Sequence, residues 1–129
     1  MSIQRRGARE LGLNIEWVFA FIGPGTSVEA TRDTVYLDVG NVLESGIYDE
    51  HGGGKASTGT AQLVLRYPSY AYEHLLGPWV DRADAGQDIS GKTVRFTICT
   101  HFSPDFDAIV SPHLVQALIE DGTFPAYAT

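Results

Sequence analysis

The stretch TICTHFSPDFDAI (residues 97–109) guides the interpretation of this chain. Its first residues are apolar or β-branched, and they end an apolar segment over 93–100 that predicts a buried strand. One histidine and two aspartates follow where that strand ends, and a helical pattern then continues to Gly122. In open α/β sheets, ligands bind beyond the carboxyl ends of the strands, so this loop marks a candidate site.

The rest of the chain alternates between strand and helix patterns. Strands are predicted over 16–23, 34–40 and 46–50. A helix is predicted from an N-cap at Ser57 or Thr58 to Pro68, and a second over 69–76 that is ended by Gly77-Pro78, before a polar connector over 81–92. In the last helix, either Asp107 is the cap and Pro112 kinks the helix, or Ser111 is the N-cap with Pro112 in the first position.

Strands interleaved with helices predict an α/β fold with a mostly parallel sheet flanked by helices. The 129 residues are most simply one domain. We expect a flexible N-terminal arm over 1–14 and a single α/β domain over 15–129, which leaves open that the chain is the N-terminal part of a longer protein.

Composition limits the classes of function. The formal charge of −7 argues against a broad nucleic-acid-binding surface, because that affinity comes from Lys and Arg side chains that neutralise phosphates. No apolar run approaches the roughly 20 residues that span a bilayer, and no secretory signal is visible, so we expect a cytoplasmic protein with no membrane contact. The single cysteine, Cys99, is expected to be buried and inert.

Three polar clusters follow directly on predicted strands. One contains Asp38, a second contains Asp49, Glu50 and His51, and the third contains His101, Asp105 and Asp107. If the strands are parallel, the clusters converge on one edge of the sheet. Imidazole and carboxylate ligands together suit divalent ions such as Mn²⁺. The alternative for the third cluster is a capped helix, with the Asp107 side chain accepting from backbone N–H groups.

The segment HFSPDFDAI (residues 101–109) resembles the first signature of the DHH phosphoesterase superfamily, which is His-x-x-Pro-Asp-x-Asp between a strand and a helix. VYLD, ending at Asp38, is similar to the second signature, and YDEH, ending at His51, to the third, with Glu50 where the family has a histidine. The resemblance covers roughly residues 35–122. The His-x-x-Pro-Asp-x-Asp signature comes last here and first in the family, so a circularly permuted order is implied.

The resemblance implies a site with two divalent ions, Mn²⁺ or Mg²⁺, that activate water for attack on phosphorus. It implies that His101 and Asp105 hold one ion, Asp107 and Glu50 the other, and that Asp38 bridges them. Asp49 would orient its neighbours, and His51 would contact phosphate or donate a proton to the leaving group. The implied substrate is a phosphoanhydride or phosphodiester in a phosphorylated small molecule or short oligonucleotide.

Two further features leave alternatives open. Lys55 in GGGKAS is either a substrate phosphate contact or part of a flexible glycine turn, because the segment lacks the spacing of a P-loop. The family's fourth signature, a further metal-binding aspartate, has no equivalent here. A catalytically inactive module that binds a metal or phosphorylated ligand is therefore the second hypothesis, and a plain α/β scaffold the third.

The aromatic residues of YPSYAY (67–72) are expected in the core or an interface, which leaves a homo-oligomer open.

Overall fold

The structure is a computed structural model that describes residues 5–23, 28–40, 42–49, 59–101 and 106–128, with the side chains of the last segment described from Val110 onward. Its strands are β1 Asn14–Ile22, β2 Thr34–Leu37, β3 Leu43–Glu44, β4 Ile47–Tyr48 and β5 Thr93–His101. Its helices are α1 Ala8–Leu11, α2 Thr60–Arg66, α3 Ser69–Leu75, α4 Gly77–Asp84 and α5 Phe106–Asp121, followed by a 3₁₀ turn over Ala126–Ala128.

The strands form one five-stranded sheet in the order β1-β5-β2-β4-β3. Strands β1, β5, β2 and β4 are mutually parallel, and only the two-residue β3 runs antiparallel to its neighbour β4. The prediction of an α/β fold with a mostly parallel sheet is confirmed. Strand β5 comes last in the chain but lies in the sheet between β1 and β2, so the sheet depends on contacts between distant parts of the sequence.

The hydrophobic core lies on one face of this sheet. On β5 the alternate residues Val94, Phe96 and Ile98 belong to the buried cluster, as do Val35 and Leu37 on β2. The helices cover this face with apolar side chains, among them Leu63, Leu75, Leu114, Val115, Leu118 and Ile119. Complete burial of a side chain such as Phe96 contributes about 1.5–3 kcal/mol. The opposite face is more open, and there Arg95 forms an ion pair with Glu16 at 3.1 Å.

Several helix boundaries differ from the sequence-based expectation. Gly59 is the N-cap of α2, so the prediction of Ser57 or Thr58 as its cap is wrong. Gly77 and Pro78 do not separate a helix from a connector, because they begin α4, where proline is tolerated in the first turn. Helix α5 already begins at Phe106, which places both Asp107 and Pro112 inside the helix, so the predictions of Asp107 or Ser111 as its N-cap are wrong.

The segment before β1 also has structure. Helix α1 lies within the predicted arm, and its Ala8 is 1% exposed and packs in the core cluster. Arg9 forms an ion pair with Asp121 at the end of α5 at 2.8 Å. No helix in the described ranges is long and apolar enough to cross a membrane.

Candidate functional site at the carboxyl edge of the sheet

Three of the predicted site residues stand at the ends of three neighbouring parallel strands. His101 is the last residue of β5, Asp38 follows β2, and Asp49 follows β4. The register aligns Tyr36 with Cys99 and Leu37 with Tyr48, which puts Asp38 level with both His101 and Asp49. The Asp38 N–H donates to Tyr48 O at 2.8 Å, which extends the ladder between β2 and β4 to the site. The predicted convergence on one edge is therefore observed for these three residues.

Asp38 and His101 are in direct contact. His101 Nε2 lies 2.5 Å from Asp38 Oδ2, and the side chains are 10% and 15% exposed for His101 and Asp38 respectively. An ionised carboxylate can only accept, so the ring N–H is the donor in this hydrogen bond. The two residues are 63 positions apart in the chain, and they meet because β5 pairs directly with β2.

Asp38 has an unusual backbone conformation for a residue other than glycine. Its φ is 63°, in the left-handed region that Asp and Asn adopt more readily than most residues. Two residues later Gly40 has φ 107°, and a Cβ there would lie 2.6 Å from Val28 Cγ2 and 2.9 Å from Ile47 Cγ2. The sequence Asp-Val-Gly thus ends β2 with a tight turn. Backbone conformations of this kind concentrate at functional sites, where the surrounding structure maintains them.

Asp49 is a deeply buried carboxylate. It is 3% exposed, and its backbone N–H donates to Val42 O at 3.0 Å. A carboxylate at such depth is stable only with hydrogen bonds or an opposite charge beside it, since desolvation of the charge costs several kcal/mol. The role that the resemblance implies for Asp49, which is to orient neighbouring ligands, stays a prediction.

Two neighbours of His101 on β5 complete the description of this edge. Cys99 lies on the same face of the strand as His101, and burial raises the pKa of its thiol, which keeps it protonated and unreactive. Thr100 lies on the core face and is 4% exposed, and its Oγ1 finds no hydrogen-bond partner within the described segments. Sequence reasoning did not single out Thr100, although a hydroxyl in an otherwise apolar strand end was the available signal.

The remaining predicted site residues lie wholly or partly outside the described residues. Glu50, His51, Lys55 and Asp105 lie outside the described residues. The backbone of Asp107 lies in the first turn of α5, beyond the end of β5, and its side chain is outside the description. Their predicted roles stay predictions.

The side chains described at this edge are of types that ligate divalent ions. Asp38 and His101 pair a carboxylate with an imidazole, a combination suited to Mn²⁺, and an ion bound by Nε2 and Oδ2 would replace the hydrogen bond that joins these two atoms. Within the described ranges, no group of three or more His, Cys, Asp or Glu side chains is arranged to hold a metal ion. A complete site would therefore need ligands from the residues that follow β4 and β5.

Comparison with protein-family models, with curated proteins and with solved structures found no match for this chain.

Proposed function

We propose that this chain is a metal-dependent phosphoesterase-like domain of the DHH type in circularly permuted order. It would hydrolyse a phosphoanhydride or phosphodiester with the help of two divalent ions, Mn²⁺ or Mg²⁺. The observation that carries the proposal is the row of Asp49, Asp38 and His101 across three adjacent parallel strand ends, with Asp38 and His101 in contact. All three belong to segments that resemble the family's signatures.

The parallel sheet supports this assignment in physical terms. A site made from strand ends needs those strands to be neighbours with the same direction, whatever their order in the chain. Strand β5 lies directly beside β2, and β2 lies beside β4, which satisfies that requirement for all three segments. A permuted order of the signatures is therefore compatible with one common site.

Each residue has a definite task under this proposal. Asp38 and His101 would be metal ligands together with Asp105, Asp107 and Glu50, and divalent ions would supply charge neutralisation at the phosphoryl group. Asp49 would fix the orientation of neighbouring ligands from its buried position. His51 would donate a proton to the leaving group or bind phosphate, and Lys55 would contact the substrate phosphate as a point charge.

The test is a thermal melt with increasing Mn²⁺ followed by a phosphate-release assay. An ion that binds only the folded state stabilises it by about 2.7 kcal/mol at 100 times its Kd, so the melting temperature should rise with Mn²⁺. Release should then be measured on pyrophosphate, short polyphosphate, cyclic dinucleotides and short oligonucleotides. We expect turnover of at least one of these substrates.

The chain offers a matched pair of variants for this test. Asp38→Asn removes a ligand charge but keeps a residue that tolerates the left-handed backbone. Asp33→Asn makes the same change at the other end of β2, where Asp33 also has a left-handed φ of 64°. We expect Asp38→Asn to abolish the Mn²⁺-dependent shift and the turnover, and Asp33→Asn to leave both intact. No shift and no turnover in the unchanged chain would refute the proposal.

A second candidate function is a catalytically inactive module that binds a metal ion or a phosphorylated ligand. Glu50 favours it, because a carboxylate in place of the family's histidine adds negative charge to the site. A melting shift that Asp38→Asn removes, without turnover of any of the four substrate classes, would select this candidate over the phosphoesterase.

A further inference from the structure

Strand β1 forms one edge of the sheet that the described residues build, and its own sequence has few of the features that normally protect such an edge. Its nine residues, NIEWVFAFI, include no proline and no lysine, and only Glu16 is charged. Natural edge strands are usually short, charged or interrupted, because an open edge can pair with another chain. The side chains of Phe19 and Phe21 are also 49% and 54% exposed, although both are large and apolar.

We propose that two copies of this chain form a dimer through antiparallel pairing of their β1 strands about a two-fold axis at Val18. This proposal is independent of the proposed phosphoesterase activity, since it concerns the edge of the sheet rather than the carboxyl ends of its strands.

The backbone of β1 fixes the available register. Asn14 N–H donates to Lys92 O beside β5, so the even-numbered residues of β1 direct their backbone groups toward β5. The odd-numbered residues, including Trp17 and Phe19, direct theirs to the outer edge. An axis at Val18 places Trp17 of each copy opposite Phe19 of the other as a hydrogen-bonded pair, and it lets the whole strand overlap.

The side chains are complementary in the same register. Phe19 comes beside Trp17 of the second copy, next to the existing contact of Trp17 with Phe96, whose ring centroids are 5.8 Å apart. Aromatic cross-strand pairs stabilise sheets. Glu16, the charged residue of the strand, falls opposite Ala20, so no like charges face each other directly.

A cavity at the start of β1 would receive the second aromatic side chain. Phe21 of the second copy comes opposite Ile15, which lines a cavity of about 250 Å³ together with Ala8, Arg9, Leu13, Asn14 and Glu120. The cavity has room for a phenyl ring, and Arg9 at its rim can interact with the face of that ring.

The size of the contact sets the expected strength. A half-exposed phenylalanine leaves roughly 100 Å² of the 150–250 Å² that an aromatic side chain can bury. Two such residues in each copy give roughly 400 Å², well below the 1,200–2,000 Å² of a typical stable interface, to which the strand edges add. Each copy also carries a formal charge of −7, and the two copies repel each other. We therefore expect a concentration-dependent dimer that becomes tighter as salt screens this repulsion.

The first test is sedimentation equilibrium of the full chain over a range of protein and salt concentrations. Phe19→Lys should weaken the dimer at least tenfold. Val42→Lys is the matched control, because Val42 is 40% exposed and precedes β3 at the opposite edge of the sheet. A chain that stays monomeric up to millimolar concentration, or a dimer that Val42→Lys splits and Phe19→Lys does not, would overturn the proposal.

The second test reports the register. In a Cys99→Ala background, Val18→Cys places two thiols on the axis, in a pair with Cα atoms about 4.5 Å apart, which is within disulfide range. Ala20→Cys, on the same face, separates the two Cα atoms by roughly 13 Å or more. Mild oxidation should cross-link the first variant and not the second. Cross-linking of Ala20→Cys alone, or of neither variant, would refute this register.

Discussion

Three glycine-to-alanine substitutions test whether residues 5–11 pack against the end of α5. The sequence predicts that this segment is part of a flexible arm. A Cβ on Gly122 would meet Arg5 O, and a Cβ on Gly7 would meet Glu120 O, both far inside van der Waals contact with backbone. Tyr72 OH also donates to Arg6 O at 2.7 Å, which holds the same segment against α3. Alanine at position 7 or 122 must therefore push the segment away.

The three substitutions should lower the free energy of unfolding by different amounts, because the three glycines differ in backbone angle and surroundings. Gly86 has φ 86° and nothing within 4 Å, so Gly86→Ala should cost only the left-handed conformation, about 1 kcal/mol. Gly7 has φ −84°, which alanine adopts without strain. Gly7→Ala should therefore lower the free energy of unfolding only through the overlap of its Cβ with the backbone of α5, by about 1–3 kcal/mol by analogy with overpacked cores. Gly122 has φ 77° and the overlap, so Gly122→Ala should cost about 2–4 kcal/mol.

Urea unfolding measures these differences as shifts of the midpoint at constant slope. A local measurement, hydrogen exchange at the Leu11 amide, should follow them, because this N–H donates to Gly7 O at 3.1 Å. Exchange should accelerate in Gly7→Ala and Gly122→Ala but not in Gly86→Ala. Equal destabilisation by Gly122→Ala and Gly86→Ala, with unchanged exchange at Leu11, would show that the docked segment contributes nothing.

Two further predictions concern buried polar groups. Thr100→Val removes a buried hydroxyl with no partner in the described segments, so the free energy of unfolding should stay equal or rise by about 1 kcal/mol. Val35→Thr adds a hydroxyl at a buried position and should lower the free energy of unfolding by about 1–3 kcal/mol. Calorimetry at neutral pH distinguishes the two, and a clear loss in Thr100→Val would mean that the hydroxyl binds water or a ligand. Burial raises the pKa of Tyr48, whose OH donates to Tyr67 O at 2.6 Å. The stability that the protonated Tyr48 contributes should therefore be complete below pH 10, which is the ordinary pKa of tyrosine in an unfolded chain, and should be lost as the pH rises above that value. Between pH 8 and 11 the urea midpoint of the unchanged chain should fall more steeply with pH than that of Tyr48→Phe. If the two midpoints fall in parallel, burial of Tyr48 is not the source of the pH dependence.

The long, continuous apolar strands were predictable from the sequence, and the short elements were not. Strand β1 carries an uninterrupted apolar segment over 17–22, and β5 is rich in apolar and β-branched residues, which are the patterns of strands buried in a parallel sheet. Strand β3 has two residues, and it exists only because β4 pairs with it. Helix α4 was missed because Gly77-Pro78 is typical of a helix end, yet proline is equally at home in the first turn of the next helix.

For the candidate site, the edge of the sheet was predictable but the contacts were not. Parallel strands bring their carboxyl ends together, so a common edge for Asp38, Asp49 and His101 followed from the fold class. That Asp38 touches His101 depends on the strand order, which the sequence pattern does not encode. The left-handed backbone of Asp38 was likewise not predicted; it stands in the turn after β2, where a Cβ on Gly40 would meet Val28 and Ile47.

The strand order links formation of the site to folding of the whole chain. Strand β5 separates β1 from β2 in the sheet of the described residues, so β1 has no partner strand there and β2 has only β4 until the last strand is in place. The contact between Asp38 and His101 forms in that same step, because β5 carries His101 to the end of β2. Contacts between such distant segments form slowly, since the entropy of closing the loop must be overcome first. The pairing of Asp38 with His101 is thus a property of the complete sheet, and an ion held by both side chains would bind the folded state and stabilise it against unfolding.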